Sequence, residues 1–502
     1  MHNDDYSQLQ KIGKEIHNIE AALRVLQWDQ ETHMACNSAA SRAAQLETLA
    51  SVYHRMRTSK RFSNQLAKLI DIKSGKILAN VDDEKKSALK LWRRDYVHAK
   101  KLPTSFVKAN EKLCSEATLV WADARKENSF IKFAPYLEKI FEFSRKKADY
   151  LGYNEHPYDA LLDEYEPNCK KSDIEILFKK LRLEVQTLLK RIGQAPQVND
   201  SFLKQAFPKE PIMDLSYELL DDMGYDRTMG RLDFSSHPFS TSFHPTDSRI
   251  TTRWHETFFK SNIGAILHEG GHALYEMGLP IQHYGTPLCE AVSMGIHESQ
   301  SRFWEILIGE SLPFWKMFYP RLKKAASSQL DGVDLDAFYK GYNRVAPTLI
   351  RVDADEVTYS MHIILRFEME SALIDGSLKI RDVPEAWNAK MQEYLGITPT
   401  TFAEGCLQDV HWSCGLIGYF PTYTLGNLYA AQFFEVFQKD NPDWKERIVS
   451  GDLKFIKHWL NQNIHCHGRR FSSKELVEKV TKNPPNYTPY IQYLTKKYED
   501  IY

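Results

Sequence analysis

The spacing of apolar residues limits this chain most severely, because it repeats almost everywhere with the period of a helix. Leu9, Ile12, Ile16, Ile19, Leu23 and Leu26 alternate steps of three and four, drawing one apolar stripe down a helix. A second helical segment follows Pro103 and carries Phe106, Leu113, Leu119 and Trp121, and another runs from about Ser172 to Gly193. No heptad pattern persists and no internal repeat is visible, so the helices must pack on one another as a globular body. With 502 residues there is enough chain for a large core or for two lobes around a cleft.

One region breaks the pattern. "FSSHPFSTSFHPTDSRITTRW", 234–254, is rich in Ser, Thr, Pro and aromatics, and it predicts a small hairpin with a strand over 249–253. The fold class is therefore mostly α with one small β element. "GQAPQVNDSFLKQAFPKEP", 193–211, reads as a loop inside a single unit of residues 1–502. It separates a front helical region, 1–200, from a catalytic region, 201–502.

Charge excludes some partners. Sixty-five basic residues against 66 acidic ones give a formal net charge of -1, with no long basic run, so neither nucleic acid nor a membrane surface is expected. The polar first twenty residues lack the apolar stretch of a secretory signal, and seven scattered cysteines form no Cys-x-x-Cys pair. The chain is expected to be cytoplasmic, with reduced cysteines.

The chemistry starts at "LHEGGHALYE", 267–276. Ile263, Ile266, Gly270, Leu274 and Met277 mark a helix, with Gly278 and Pro280 to stop it. On that helix His268 and His272 lie one turn apart on one face, where two imidazoles can reach one ion. Glu269 sits about 100° around the axis, beside the ion, in the position of a general base for water. A histidine on a helix is often an ordinary surface or capping residue, so the motif needs a third ligand.

The next helix offers one. It is expected to begin with Thr286 as N-cap and Pro287 at its first position, and its interior carries His297, Glu298, Ser299 and Gln300. A glutamate inside an amphipathic helix is costly to bury unless a positive group meets it. Twenty-five residues lie between His272 and Glu298, enough for a loop and a helix to fold back. His268, His272 and Glu298 would then form the two-histidine, one-glutamate set of hydrolytic zinc sites.

These motifs, with "VLQWDQET" at 25–32, "HPF" at 237–239 and "DSRITTR" at 247–253, resemble the carboxypeptidase Taq family of metallocarboxypeptidases. "HESQSRFWE" at 297–305, "IRVDADEVTY" at 350–359 and "GCLQDVHWSCGLIGYFPTYTLG" at 405–426 extend the resemblance over most of the chain. It implies a neurolysin-like helical fold with a deep substrate groove. It also implies a homodimer that removes single residues from peptide C-termini with broad specificity, using zinc or, in some members, cobalt. An oligopeptidase or dipeptidyl carboxypeptidase with the same metal site is the rival enzyme, and a helical peptide-binding protein the rival of another class.

A free C-terminal carboxylate calls for an arginine fork. Arg351 is the first choice, placed on a helix with the buried stripe Ile350, Ala354, Val357, Met361 and Ile364; the family resemblance gives it a substrate-anchoring role. Arg249, Arg253 and Gln300 are the further substrate-binding candidates. The alternative for Arg351 is that it fixes Asp355 or a neighbouring helix. His411, Tyr423 and His237 are candidates to stabilise the oxyanion or to hold the peptide, and each could equally be a hydrogen-bonded internal group. Some wider relatives place an aspartate four residues after the glutamate ligand; here that residue is Arg302. The group that orients the metal-binding histidines is therefore sought elsewhere, at Asp353 or Asp355.

Overall fold

The 31-residue opening helix, His2–Thr32, spans about 46 Å and turns back into the helix Ala39–Arg57. A computed structural model describes residues 2–502. The first half of the predicted stripe, Leu9, Ile12 and Ile16, is buried in a small core with Phe62, Leu66, Leu89 and Trp92, which Leu288 joins from the far half of the chain. The second half, Ile19, Leu23 and Leu26, is only partly covered, because there the helix borders an open groove. A second, much larger core runs from Leu113 to Ile501 and draws on both sides of residue 200. The helices Thr104–Lys126, Phe130–Leu151 and Lys171–Gln194 supply its front wall. The segment after Gln194 is a loop with one 3-10 turn, Ser201–Leu203, before the helix Lys209–Met223. Among the described residues no helix is long and apolar enough to cross a membrane.

The β element is a three-stranded sheet of β1 (Leu232–Phe234), β2 (Ser240–His244) and β3 (Asp247–Thr252), in the order β1-β3-β2. β1 runs parallel to β3 with Leu232 opposite Ile250, and β2 runs antiparallel with Ser240 opposite the same residue. β2 is an edge strand on the groove, and Arg24 of the opening helix donates to its Ser242 carbonyl at 3.2 Å. The expected strand 249–253 thus lies at 247–252, and Arg253 stands just past its end.

Two helices carry the central motif. The first, Phe259–Met277, stops at Gly278 as expected; we call it the histidine helix. The second, the glutamate helix Met294–Arg302, starts later than its sequence suggests. Thr286 and Pro287 open only a 3-10 turn, Pro287–Cys289, and Ser293 is the true cap, its hydroxyl accepting from the Ile296 amide at 3.0 Å. Arg351 is not helical either. It begins a 3-10 turn, Arg351–Asp353, and the helix starts at Tyr359. The Asp355 carboxylate explains the break, since it accepts from the amides of Val357 and Thr358 at 3.0 and 2.9 Å and so caps the chain there.

Small residues let the two motif helices meet. A Cβ on Gly271 would lie 2.7 Å from the Gln300 carbonyl and 2.8 Å from Ser301 Cα. On the other side of the glutamate helix, a Cβ on Gly426 of the helix Pro421–Asp440 would lie 2.5 Å from Glu298 Cγ. A Cβ on Gly270 meets instead the flexible end of Met223, at 3.0 Å. Gly271→Val is therefore predicted to lower stability by about 1–3 kcal/mol through overpacking against backbone, and Gly270→Ala by clearly less. Chemical denaturation of the two variants checks the order.

Candidate active site

The glutamate helix delivers Glu298 between the two histidines. Its Oε2 lies 3.6 Å from His268 Nε2 and 3.5 Å from His272 Nε2. One ligand atom from each residue falls within 4.8 Å of the others. Ligands about 2.0–2.2 Å from a tetrahedral ion are separated by about 3.4 Å, so the two measured distances already fit a shared divalent cation. Glu269 follows His268 on the same helix, is buried, and lines the same groove.

Four groups hold this set in place. Arg302 donates from Nε to Glu298 Oε1 at 2.7 Å and from Nη1 to Glu305 at 3.3 Å, while its guanidinium lies 4.3 Å from the Tyr359 ring centre. Glu305 in turn accepts from His268 Nδ1 at 2.7 Å. The Nδ1 atoms of His272 and His297 lie 2.5 Å apart. The orienting groups are thus Glu305 and His297, and neither Asp353 nor Asp355 takes that part. Asp355 caps the turn before Tyr359, while Asp353 is exposed. The seven-residue spacing of Glu305 from Glu298 places both on one helical face, a signal the sequence carries.

Charge states follow from these contacts. Burial works against ionising Glu298, but Arg302 and His268 outweigh it and hold its carboxyl well below the usual range. Burial pushes His272 down to about 3, so it is neutral at pH 7. Burial also opposes charge on His268, yet Glu298 and Glu305 lift it to about 9. Burial pushes Glu269 up to about 7, with His268 pulling the other way.

Beyond the metal-binding set lies a second charged cluster. Arg351 donates from Nε to Asp409 Oδ1 at 2.9 Å and from Nη1 to the Tyr359 hydroxyl at 3.0 Å. Its guanidinium lies 5.0 Å from the Tyr423 ring centre, and it borders the groove. Arg366 donates to the other oxygen of Asp409 at 2.7 Å. Two guanidiniums therefore share one carboxylate. Burial and Arg366 keep the adjacent His362 neutral, and burial and Arg351 push His411 down to about 3. Among these three groups one positive charge is left over, costly to bury without an anion, and the further buried carboxyl near Arg366 is Glu370, which burial pushes up to about 7. The carboxylate that holds Arg351 is therefore Asp409, not the alternative Asp355.

The other candidates divide. His411 Nε2 and the Tyr423 hydroxyl meet at 3.1 Å and both border the groove, with Tyr419 beside them, an aromatic that sequence reasoning passed over. His237 is exposed on the groove rim between β1 and β2, and Arg253 nearby donates to the Ser236 carbonyl at 3.2 Å. Gln300 is fully buried and turned away, its Oε1 2.9 Å from His465 Nε2, because two residues along a helix is about 200° of rotation from Glu298. Arg249 is held by Asp247 at 2.9 Å through both Nε and Nη2 and covers Trp28 with its centre 4.4 Å from the ring. It helps seat the opening helix on the sheet and does not border the groove.

The groove itself encloses about 1420 Å³. Its walls come from the opening helix, β2, the two motif helices and the Arg351 turn. The model of the carboxypeptidase Taq (M32) metallopeptidase family matches residues 8–498. Thermostable carboxypeptidase 1 of Thermus thermophilus is 40% identical over 99% of both chains, and carboxypeptidase 1 of Bacillus subtilis is 38% identical over 97% of both. The crystal structure of the M32 carboxypeptidase from Deinococcus radiodurans superposes with a TM-score of 0.96 at 33% identity, covering 99% of each chain. The mostly helical architecture, the single small sheet and this full-length match lead to one conclusion: the chain belongs to the carboxypeptidase Taq (M32) family and is a metallocarboxypeptidase.

Proposed function

We propose that this enzyme releases single residues from the C-terminus of peptides with zinc held by His268, His272 and Glu298, and Glu269 as general base. The observation that carries the reading is the coexistence, in one groove, of three convergent ligand atoms and Arg351, which shares Asp409 with the buried Arg366 behind it. A bound divalent ion supplies Lewis acidity, polarising the scissile carbonyl and making water acidic enough to lose a proton near neutral pH. Glu269 accepts that proton as the water oxygen bonds to the carbonyl carbon. It then passes the proton to the departing amine as the C–N bond breaks. The Tyr423 hydroxyl, oriented by His411, donates a hydrogen bond to the oxygen that gains negative charge.

The terminal carboxylate of the substrate supplies the anion that the Arg351–Asp409–Arg366 cluster lacks. Asp409 and Tyr359 fix the Arg351 fork before the peptide arrives, which lowers the entropy cost of binding. Arg253 and His237 hold the body of the peptide along the rim. The preference for a free C-terminus then follows from electrostatics, since an amidated peptide brings no charge to that end. Zinc as the resident ion, with cobalt as a substitute, and a homodimeric assembly are carried over from the family resemblance, and a cytoplasmic location fits the seven free cysteines.

Three measurements bear on this reading. Glu269→Gln is predicted to keep its bound zinc while kcat falls about 10²–10⁴-fold, the usual contribution of a general base; unchanged turnover would remove Glu269 from that role. Arg351→Met should lower kcat/KM for free-acid peptides by about ten- to a hundredfold, the loss of one charged hydrogen-bond pair, and should narrow the gap between free-acid and amidated substrates. In a mass-spectrometric time course on mixed peptides, a chelator should stop shortening and added Zn²⁺ should restore it. The products should be ladders losing one residue at a time, and internal fragments or paired losses would contradict the exopeptidase assignment.

A further inference from the structure

His297 takes no part in the reaction described above, yet it lies against a metal-binding ring. Its Nδ1 is 2.5 Å from Nδ1 of His272, and its Nε2 is 2.8 Å from Glu276 Oε1. The two imidazoles lie with centres 4.6 Å apart, and His297 and Glu276 are each about four-fifths covered.

The protons can be assigned by following the contacts. His272 turns Nε2 towards the point it shares with His268 and Glu298, where in the metal-loaded enzyme it would offer its lone pair to the ion, so the ring would carry its hydrogen on Nδ1. Between two Nδ1 atoms at hydrogen-bond distance there is room for one proton. His272 Nδ1–H therefore donates, and His297 Nδ1 accepts. His297 must then carry its own hydrogen on Nε2, which it donates to the Glu276 carboxylate. Each tautomer dictates the next, and the series ends on an anion.

We infer that His297 and Glu276 form a positioning relay that locks the tautomer and ring orientation of His272 and so retains the metal. The relay rests on the proposed His268, His272 and Glu298 set. The two histidine ligands are supported unequally: Glu305 reaches His268 directly, whereas the carboxylate behind His272 acts through a second imidazole. Geometry explains the difference. Glu276 follows His272 by one turn on the same helix, so its carboxylate lies along the ring rather than behind it. His297 comes from the glutamate helix and fills the space between them. Adjacent residues of that helix, His297 and Glu298, thus grip both nitrogens of one ring, and the relay also ties the two motif helices together.

The test is zinc release, independent of turnover. Zn²⁺-loaded wild type, His297→Phe, His297→Asn and Glu276→Ala are mixed with excess EDTA, and the loss of metal is timed. Melting curves of the metal-free chains report folding. His297→Phe keeps the bulk but has no acceptor, and its release should accelerate about 10–100-fold. His297→Asn can place Oδ1 where Nδ1 was and should stay within about threefold of wild type. Glu276→Ala should fall between them. Wild-type release from a folded His297→Phe, or equal release from His297→Asn and His297→Phe, would overturn the relay. If His297→Phe does not fold, wild-type release from Glu276→Ala would do the same. A wild-type chain that takes up no zinc would instead overturn the metal site itself, and that outcome is seen before any variant is made.

Discussion

The close approach of the histidine and glutamate helices is the constraint on which the rest depends. Gly271 presses against the backbone of residues 300 and 301, and Gly426 against Glu298 from behind. Side chains at either place would hold the helices apart, and Glu298 Oε2 would lose its position 3.5–3.6 Å from both imidazoles. Backbone contact is stiffer than side-chain contact, so the three ligand atoms are set by packing rather than by flexible arms. The charges then follow. A carboxylate placed there would be intolerable alone, and Arg302, Glu305 and the histidines compensate it in a single hydrogen-bonded group.

Across Tyr359 from the candidate metal ligands, the charge balance is different. Arg351 and Arg366 divide Asp409 between them, and the nearby histidines are kept neutral by burial and by the same arginines. Fully paired, such a cluster would only brace the fold. Here the Tyr359 hydroxyl and the Tyr423 ring hold the Arg351 fork steady. His268, His272, Glu298 and Arg351 border one cavity.

The front of the molecule closes that cavity. The opening helix has its own small core, separate from the main one, and reaches the sheet through Trp28 and Arg249. This accounts for "VLQWDQET" as a docking motif without any contact with the reacting atoms. Arg249 therefore looked like a substrate arginine in sequence although its charge is spent on Asp247 and Trp28. Gln300 stands two residues from Glu298, and helical rotation turns it towards His465 instead of the groove.

Local periodicity and spacing by themselves determined the helical class, the small β element, the histidine helix with its stop at Gly278, and the identity of the three converging side chains. Apart from Glu298, which a carboxylate inside an amphipathic helix singled out, those features depend on neighbours within one or two turns, which the order of residues specifies directly. Helix starts were less legible where side chains decided them: Ser293 displaced Thr286 as a cap, and Asp355 broke a stripe that seemed continuous through Arg351. Only the tertiary structure decided which polar groups pair across distant segments. Asp409 reaches back 58 residues to Arg351, and Glu305 reaches back 37 to His268. Such pairings arise because burial forbids an isolated charge, and which partner is near enough depends on how whole helices pack.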